Sequence, residues 1–217
     1  MRRRGVWAGL FLAGLLGGCA PSLAPPGPLA DTPHAPRVEA SPEADAPLWG
    51  AFIADDGARL PLRRWGGDDA DVVLIGLHGM NDYGNAFALP GAAWAEAGAT
   101  TYAPDQRGFG DAPGRGLWPG WERLRADARG LAEALGAQHP EAAIYFVGVS
   151  MGGAVSMTAA AGDAPPVDGA VLVAPAGWSR TVMPWWQTAA LWAAVRIAPS
   201  ASLTGEGLKI TPSDNIE

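Results

Sequence analysis

The apolar run Ala143-Ile144-Tyr145-Phe146-Val147 leads straight into Gly148-Val149-Ser150-Met151-Gly152, and this junction most narrows what the chain can fold into. β-Branched and aromatic residues in the run suit a buried strand. Behind the junction, residues 153–161 are almost all small and read as a helix. A strand that bends directly into a helix needs small neighbours at the bend. Gly148 and Gly152 allow close backbone approach, which projects the Ser150 hydroxyl from the carboxyl end of a sheet. The helix N-terminus, with its free N–H groups and dipole, favours a developing oxyanion there. Two readings stand side by side: Ser150 is a nucleophile, or the segment is only a tight strand-to-helix turn.

Around this unit the chain alternates. Trp49–Ile53 and Arg59–Trp65 flank the turn signal Asp55-Asp56-Gly57 and predict an antiparallel hairpin. Asp71–Leu77 is a continuous apolar strand, followed by a Gly-rich loop and a helical stretch through Trp94 to Ala97. Thr100–Ala103 is the next strand. Trp121–Ala137 is an amphipathic helix with Leu124, Ala128, Leu131 and Leu135 on one face. Gly169–Ala174 is the last strand. Strands alternating with helices predict an α/β fold: a mostly parallel sheet covered on both faces, with sites at the strand carboxyl ends.

The 217 residues suffice for one sizeable core, and the net charge of −7 excludes electrostatic recruitment to nucleic acid. The single cysteine, Cys19, rules out an internal disulfide or a cysteine metal site. Arg2, Arg3 and Arg4 precede an apolar stretch from Val6 to Leu16, which has signal-peptide proportions and is short for a membrane span. Leu16-Gly17-Gly18-Cys19 resembles a bacterial lipobox. On that resemblance residues 1–18 are a lipoprotein signal peptide and Cys19 carries acyl chains that anchor the protein in the cell envelope. Ala20 after the cysteine points to the outer membrane if the cell is Gram-negative. An ordinary signal peptide with a free thiol is the other reading. Residues 19–47, with eight prolines from Pro21 to Pro47, read as an extended tether that holds His34 in solvent. The main domain then spans 48–177, and 178–217 forms a separate segment.

Three loops fall at the strand carboxyl ends: His78-Gly79-Met80-Asn81-Asp82, Asp105-Gln106-Arg107-Gly108-Phe109-Gly110, and the serine turn. Taken together and in this order they resemble the α/β-hydrolase superfamily, within it the monoacylglycerol lipase and lysophospholipase-like serine hydrolases. The resemblance implies an α/β-hydrolase fold with Ser150 as nucleophile and the amides of Met80 and Met151 as oxyanion donors. It implies that His78, Gly79, Gly148 and Gly152 support the active-site loops. It places a helical lid insertion at residues 178–217, where Met183, Trp185, Trp186, Leu191, Trp192, Val195 and Ile197 suit an acyl chain or a membrane surface. The same residues equally suit packing of the lid. The implied substrate is a small acyl ester or lipid, with no cofactor, no metal and no nucleic acid.

The chain departs from that family pattern in one respect. The family's acid and histidine base follow the lid, whereas His34, His78 and His139 all precede Ser150. His139 belongs to a helix end on the far side of the sheet and is expected at the surface. Asp163 and Asp168 enter a strand at the wrong end, and Asp214 has no histidine to orient. The expectation is therefore a truncated sequence lacking its C-terminal strands, which leaves Gly169–Ala174 as an open apolar edge. A catalytically inactive, membrane-tethered lipid-binding module or relic, and a peptidase or acyltransferase on the same scaffold, are the competing functions.

Overall fold

The computed structural model describes residues 34–41, 48–162, 164–177 and 183–197. Cys19, the signal segment, Asp163 and Asp214 lie outside the described residues. Residues 23–178 form one compact unit, and residues 179–217 belong to a second one.

In the larger unit, β1 (Arg37–Ala40), β2 (Leu48–Ile53), β3 (Arg59–Trp65), β4 (Val72–Leu77), β5 (Thr100–Pro104), β6 (Ala143–Val149) and β7 (Gly169–Val173) make one sheet. Its order is β1-β2-β3-β5-β4-β6-β7. The first three strands run antiparallel to their neighbours, and β5, β4, β6 and β7 are parallel. The expected hairpin is β2–β3, turned at Gly57 with φ 79°. Strand β1 was not expected: Arg37–Ala40 lies inside the stretch read as a tether, yet pairs with Gly50–Ile53. Pairing partners supplied from a distance organise a segment whose own composition carries no core.

The helices are α1 (Ala88–Glu96), α2 (Trp121–Gln138) and α3 (Met151–Ala160), with a 3-10 turn at Gly84–Phe87. The predicted face of α2 is the buried one: Leu124, Ala128, Leu131 and Leu135 all join a core with Phe52, Leu60, Leu62, Tyr102 and Phe146. Arg125 and Arg129 of α2 donate to the carbonyls of Thr158 and Ala159, satisfying groups left open at the end of α3. At its margin the described sheet exposes Val171, Leu172 and Val173 of β7. The second unit contributes α4 (Trp185–Ile197), whose Arg196 guanidinium stands 4.0 Å from the Trp192 ring. No helix among the described residues is long and apolar enough to cross a membrane.

Candidate active site

Strand β6 ends at Val149 and α3 begins at Met151, so Ser150 alone makes the turn. Its backbone lies at φ 51° and ψ −111°. Non-glycine residues avoid such conformations at a cost of about 1–3 kcal/mol. Its surroundings hold it there: the Ser150 N–H donates to the Val173 carbonyl at 2.9 Å, and the Ser150 carbonyl accepts from Ala154 (3.2 Å) and Ala176 (2.9 Å). A Cβ on Gly148 would strike the Gly152 carbonyl, and one on Gly152 would strike the Leu77 carbonyl. The serine itself is exposed.

The loop after β4 lies against it. A Cβ on Gly79 would sit 3.6 Å from the Ser150 Cβ. Met80 follows, and Met151 opens α3, where an amide has no acceptor within its own helix. Among the described residues neither amide donates to another group.

His78 is wholly buried, and both ring nitrogens are committed. The Gln106 amide donates to Nε2 at 2.9 Å, which makes Nε2 an acceptor and leaves the proton on Nδ1. Nδ1–H then donates to the Gly79 carbonyl at 2.8 Å. The Gln106 side chain adds a bond to the His78 carbonyl at 2.8 Å. This imidazole supports the loop and has no lone pair to offer as a base. Asp105, also wholly buried, accepts from Arg63 and from the amides of Gly84 (2.8 Å) and Asp111 (2.9 Å). It ties the loop after β5 to the loop after β4. Next to it, Arg107 forms bidentate pairs with Asp127 of α2 and with Asp56 of the hairpin turn, at 2.9–3.0 Å. Burial alone would lower the Arg107 pKa, but the bonds and charges of Asp127 and Asp56 raise it above its ordinary value. Arg123 joins the same two aspartates and Asp55.

His139 is buried rather than at the surface, with Nε2 3.0 Å from the Tyr102 hydroxyl. It precedes β6, whereas Ser150 follows it, so the two stand at opposite ends of that strand. Asp168 is at the far end as well, accepting from the Ile144 amide. Burial lowers the pKa of His78 against the opposing pull of the Gly79 carbonyl and Asp105; burial and then Arg64 lower that of His139. On acidification the unfolded chain therefore takes up protons first. The stability these neutral rings contribute is complete above their ordinary value near 6.5 and is lost as pH falls through the lowered folded-state values. Urea midpoints measured between pH 8 and pH 5 will decline through that window, and the decline will be shallower in His139→Gln.

A family model described as serine aminopeptidase, S33, matches residues 68–217. The chain belongs to this S33 hydrolase family. No curated protein matches the sequence. Solved structures similar to the chain include a monoacylglycerol lipase of Paleococcus ferrophilus, 23% identical over 66% of this chain and 54% of that one, TM-score 0.53. The α/β-hydrolase GrgF of Penicillium sp. sh18 is 23% identical over 67% and 51%, TM-score 0.56. An esterase of Exiguobacterium antarcticum is 18% identical over 68% and 55%, TM-score 0.52. At these identities the likeness establishes the α/β-hydrolase fold. The chain spans about half the length of these structures.

Of the residues singled out in the sequence, the fold gathers Ser150, Gly79, Gly148, Gly152, Met151, His78 and Met80 at one end of β4 and β6. It places His139 and Asp168 at the other. Gln106 was not singled out, although it fastens His78 twice. Its signal lay in its position, the second residue after a strand that is the sheet neighbour of β4.

Proposed function

We propose that the protein is a serine hydrolase of carboxylic esters, of the monoacylglycerol or lysophospholipid type, acting through an acyl-enzyme on Ser150. One observation carries this: an exposed serine held at φ 51° between a glycine-bearing loop and a helix N-terminus. In the proposed reaction the Ser150 Oγ attacks the ester carbonyl carbon and its proton passes to a base. The carbonyl electron pair moves to oxygen, which the Met80 and Met151 amides stabilise. Collapse expels the alcohol with the proton, and water releases the acid by the same route. His78 is locked in its loop and His139 lies at the wrong end. The proposal therefore takes the acid and base from the part of the whole protein that follows the lid in the family order. Segment 178–217, with α4, stands as the lid in this reading. Cys19 serves as the lipid anchor, with the protein in the bacterial cell envelope.

The names of the similar lipase and esterase support ester chemistry. The family description favours one second reading, hydrolysis of peptide bonds by the same serine. A fluorophosphonate probe applied to the protein isolated from its own cells separates the possibilities. The ester and peptidase readings both expect a probe adduct on the Ser150 peptide; a folded protein without that adduct sinks both. Competition by a monoacylglycerol but not by an aminoacyl amide supports the ester reading, and the reverse supports the peptidase. Peptides from the same digest report acylation at Cys19.

A further inference from the structure

The direction of β1 decides where the chain that precedes it leaves the domain. Arg37 pairs with Ile53 and Ala40 with Gly50, so β1 runs opposite to β2. Ile53 pairs in turn with Arg59, and Leu62 pairs with Pro104, the last residue of β5. The start of β1 therefore lies at the strand-carboxyl end of the sheet, the end that carries Ser150. Two hydrogen bonds fix the exit there. The His34 amide donates to the Asp55 carbonyl at 2.9 Å, and Arg123 in the first turn of α2 donates to the Asp55 carboxylate at 2.7 Å. Strands β2, β3, β5 and β4 separate β1 from β6, which puts the exit about 24 Å across the sheet from the serine turn.

Large apolar side chains stand uncovered at this same end. Residues 113–118 of the loop after β5 are all exposed, Leu117 at 40% and Trp118 at 44%. Trp121, which opens α2, is 54% exposed, and Met80, which lines a cleft of about 410 Å³ with Leu117 and Trp118, is 58% exposed. The loop that presents the tryptophans is bonded to itself, with the Gly108 amide on the Pro113 carbonyl (3.0 Å) and the Gly116 amide on the Gly108 carbonyl (2.9 Å). An indole pairs an apolar body with one N–H donor, which suits the boundary between lipid and water. Exposed Asp82, Asp111 and Glu122 outnumber Arg115 around these residues, which disfavours an anionic surface and leaves a zwitterionic one.

We infer that the anchored domain rests with its strand-carboxyl end on the membrane that holds it, with Leu117, Trp118 and Trp121 against a zwitterionic phospholipid surface. The inference rests on Cys19 as the lipid-bearing residue and is separate from the reading of Ser150 as nucleophile. Residues 19–33 then connect the bilayer to the exit beside Asp55. Fully extended they span at most about 50 Å, against about 40 Å across a compact body of this size. Turning the exit end away from the bilayer takes nearly the whole tether, whereas facing it takes little.

Protein isolated from its own cells and reconstituted into phosphatidylcholine vesicles tests this. Phosphatidylcholine brominated on its acyl chains near the headgroup quenches tryptophans that touch the bilayer. Trp118→Phe with Trp121→Phe removes the two reporters and keeps an aromatic ring at each exposed position. The emission quenched by brominated lipid is expected to fall about twofold or more in this double variant. Trp94→Phe, at the opposite end where its carbonyl accepts from Ala99 just before β5, is expected to leave it unchanged. Undiminished quenching in the double variant overturns the orientation, and it is also the result if another segment of the whole protein covers the two tryptophans. The mass of the Cys19 peptide is read from the same sample. An unacylated Cys19 defeats the anchor reading and the orientation with it, whereas an acylated Cys19 with undiminished quenching defeats the orientation alone.

Discussion

On the proposed reaction, Ser150→Ala is expected to lower ester turnover by about six orders of magnitude, the scale on which removing a serine nucleophile acts elsewhere. The more telling comparison is with Ser150→Gly, which is equally unable to form an acyl-enzyme. Alanine inherits the strained backbone at φ 51° and ψ −111°, because the bonds to Val173, Ala154 and Ala176 still impose it. Glycine takes up the same dihedrals far more easily. Ser150→Gly should therefore be more stable than Ser150→Ala by about 1 kcal/mol, the low end of the strain range after allowance for glycine's greater freedom when unfolded. Urea denaturation of the two variants measures this. Equal stabilities, or a less stable glycine variant, would show that the turn stores no strain.

The second large effect lies away from the serine. Asp127→Ala is expected to lower the unfolding free energy by about 3–5 kcal/mol, because it leaves the Arg107 guanidinium buried with half of its partners gone. Asp56 alone would then hold Arg107, and Arg123 would lose its bond to α2 as well. The hairpin turn, the loop after β5 and α2 are joined by these side chains. A shift in the urea midpoint with unchanged slope is the expected form of the result. Removing the charge pair together, as Arg107→Met with Asp127→Leu, should recover much of the loss, since Arg107 and Asp127 leave together and Asp56 keeps Arg123 at 3.9 Å. A single-variant cost under about 1 kcal/mol would mean that solvent reaches the network.

The boundaries of β4, β5, β6 and α2 were legible in the sequence because their signals are local. An apolar run bounded by turn residues, or four apolar residues spaced along one helix face, needs no knowledge of what lies opposite. The serine turn was legible for a related reason: Gly148 is demanded by the close Gly152 carbonyl and Ser156 side chain, and Gly152, which is demanded by the Leu77 carbonyl of β4, belongs to the same short pattern. Asp127 was not. It sits among the polar residues of an amphipathic helix, and nothing nearby marks it as buried. Its burial follows from Arg107, twenty residues earlier, and from Asp56 in another part of the sheet. His139 is the parallel case, a helix-end residue drawn inside by the hydroxyl of Tyr102 from a strand two elements earlier.

The sequence by itself determined the α/β alternation, the hairpin that precedes it and the exposed serine at the end of β6, because each is set by contacts between residues close along the chain. Tertiary structure alone decided that Arg37–Ala40 becomes a strand, that Gln106 locks His78 and that Leu117 and Trp118 line one cleft with Met80. Each of those joins residues roughly ten to forty positions apart, and only the closed sheet brings such partners within reach of a hydrogen bond or a van der Waals contact.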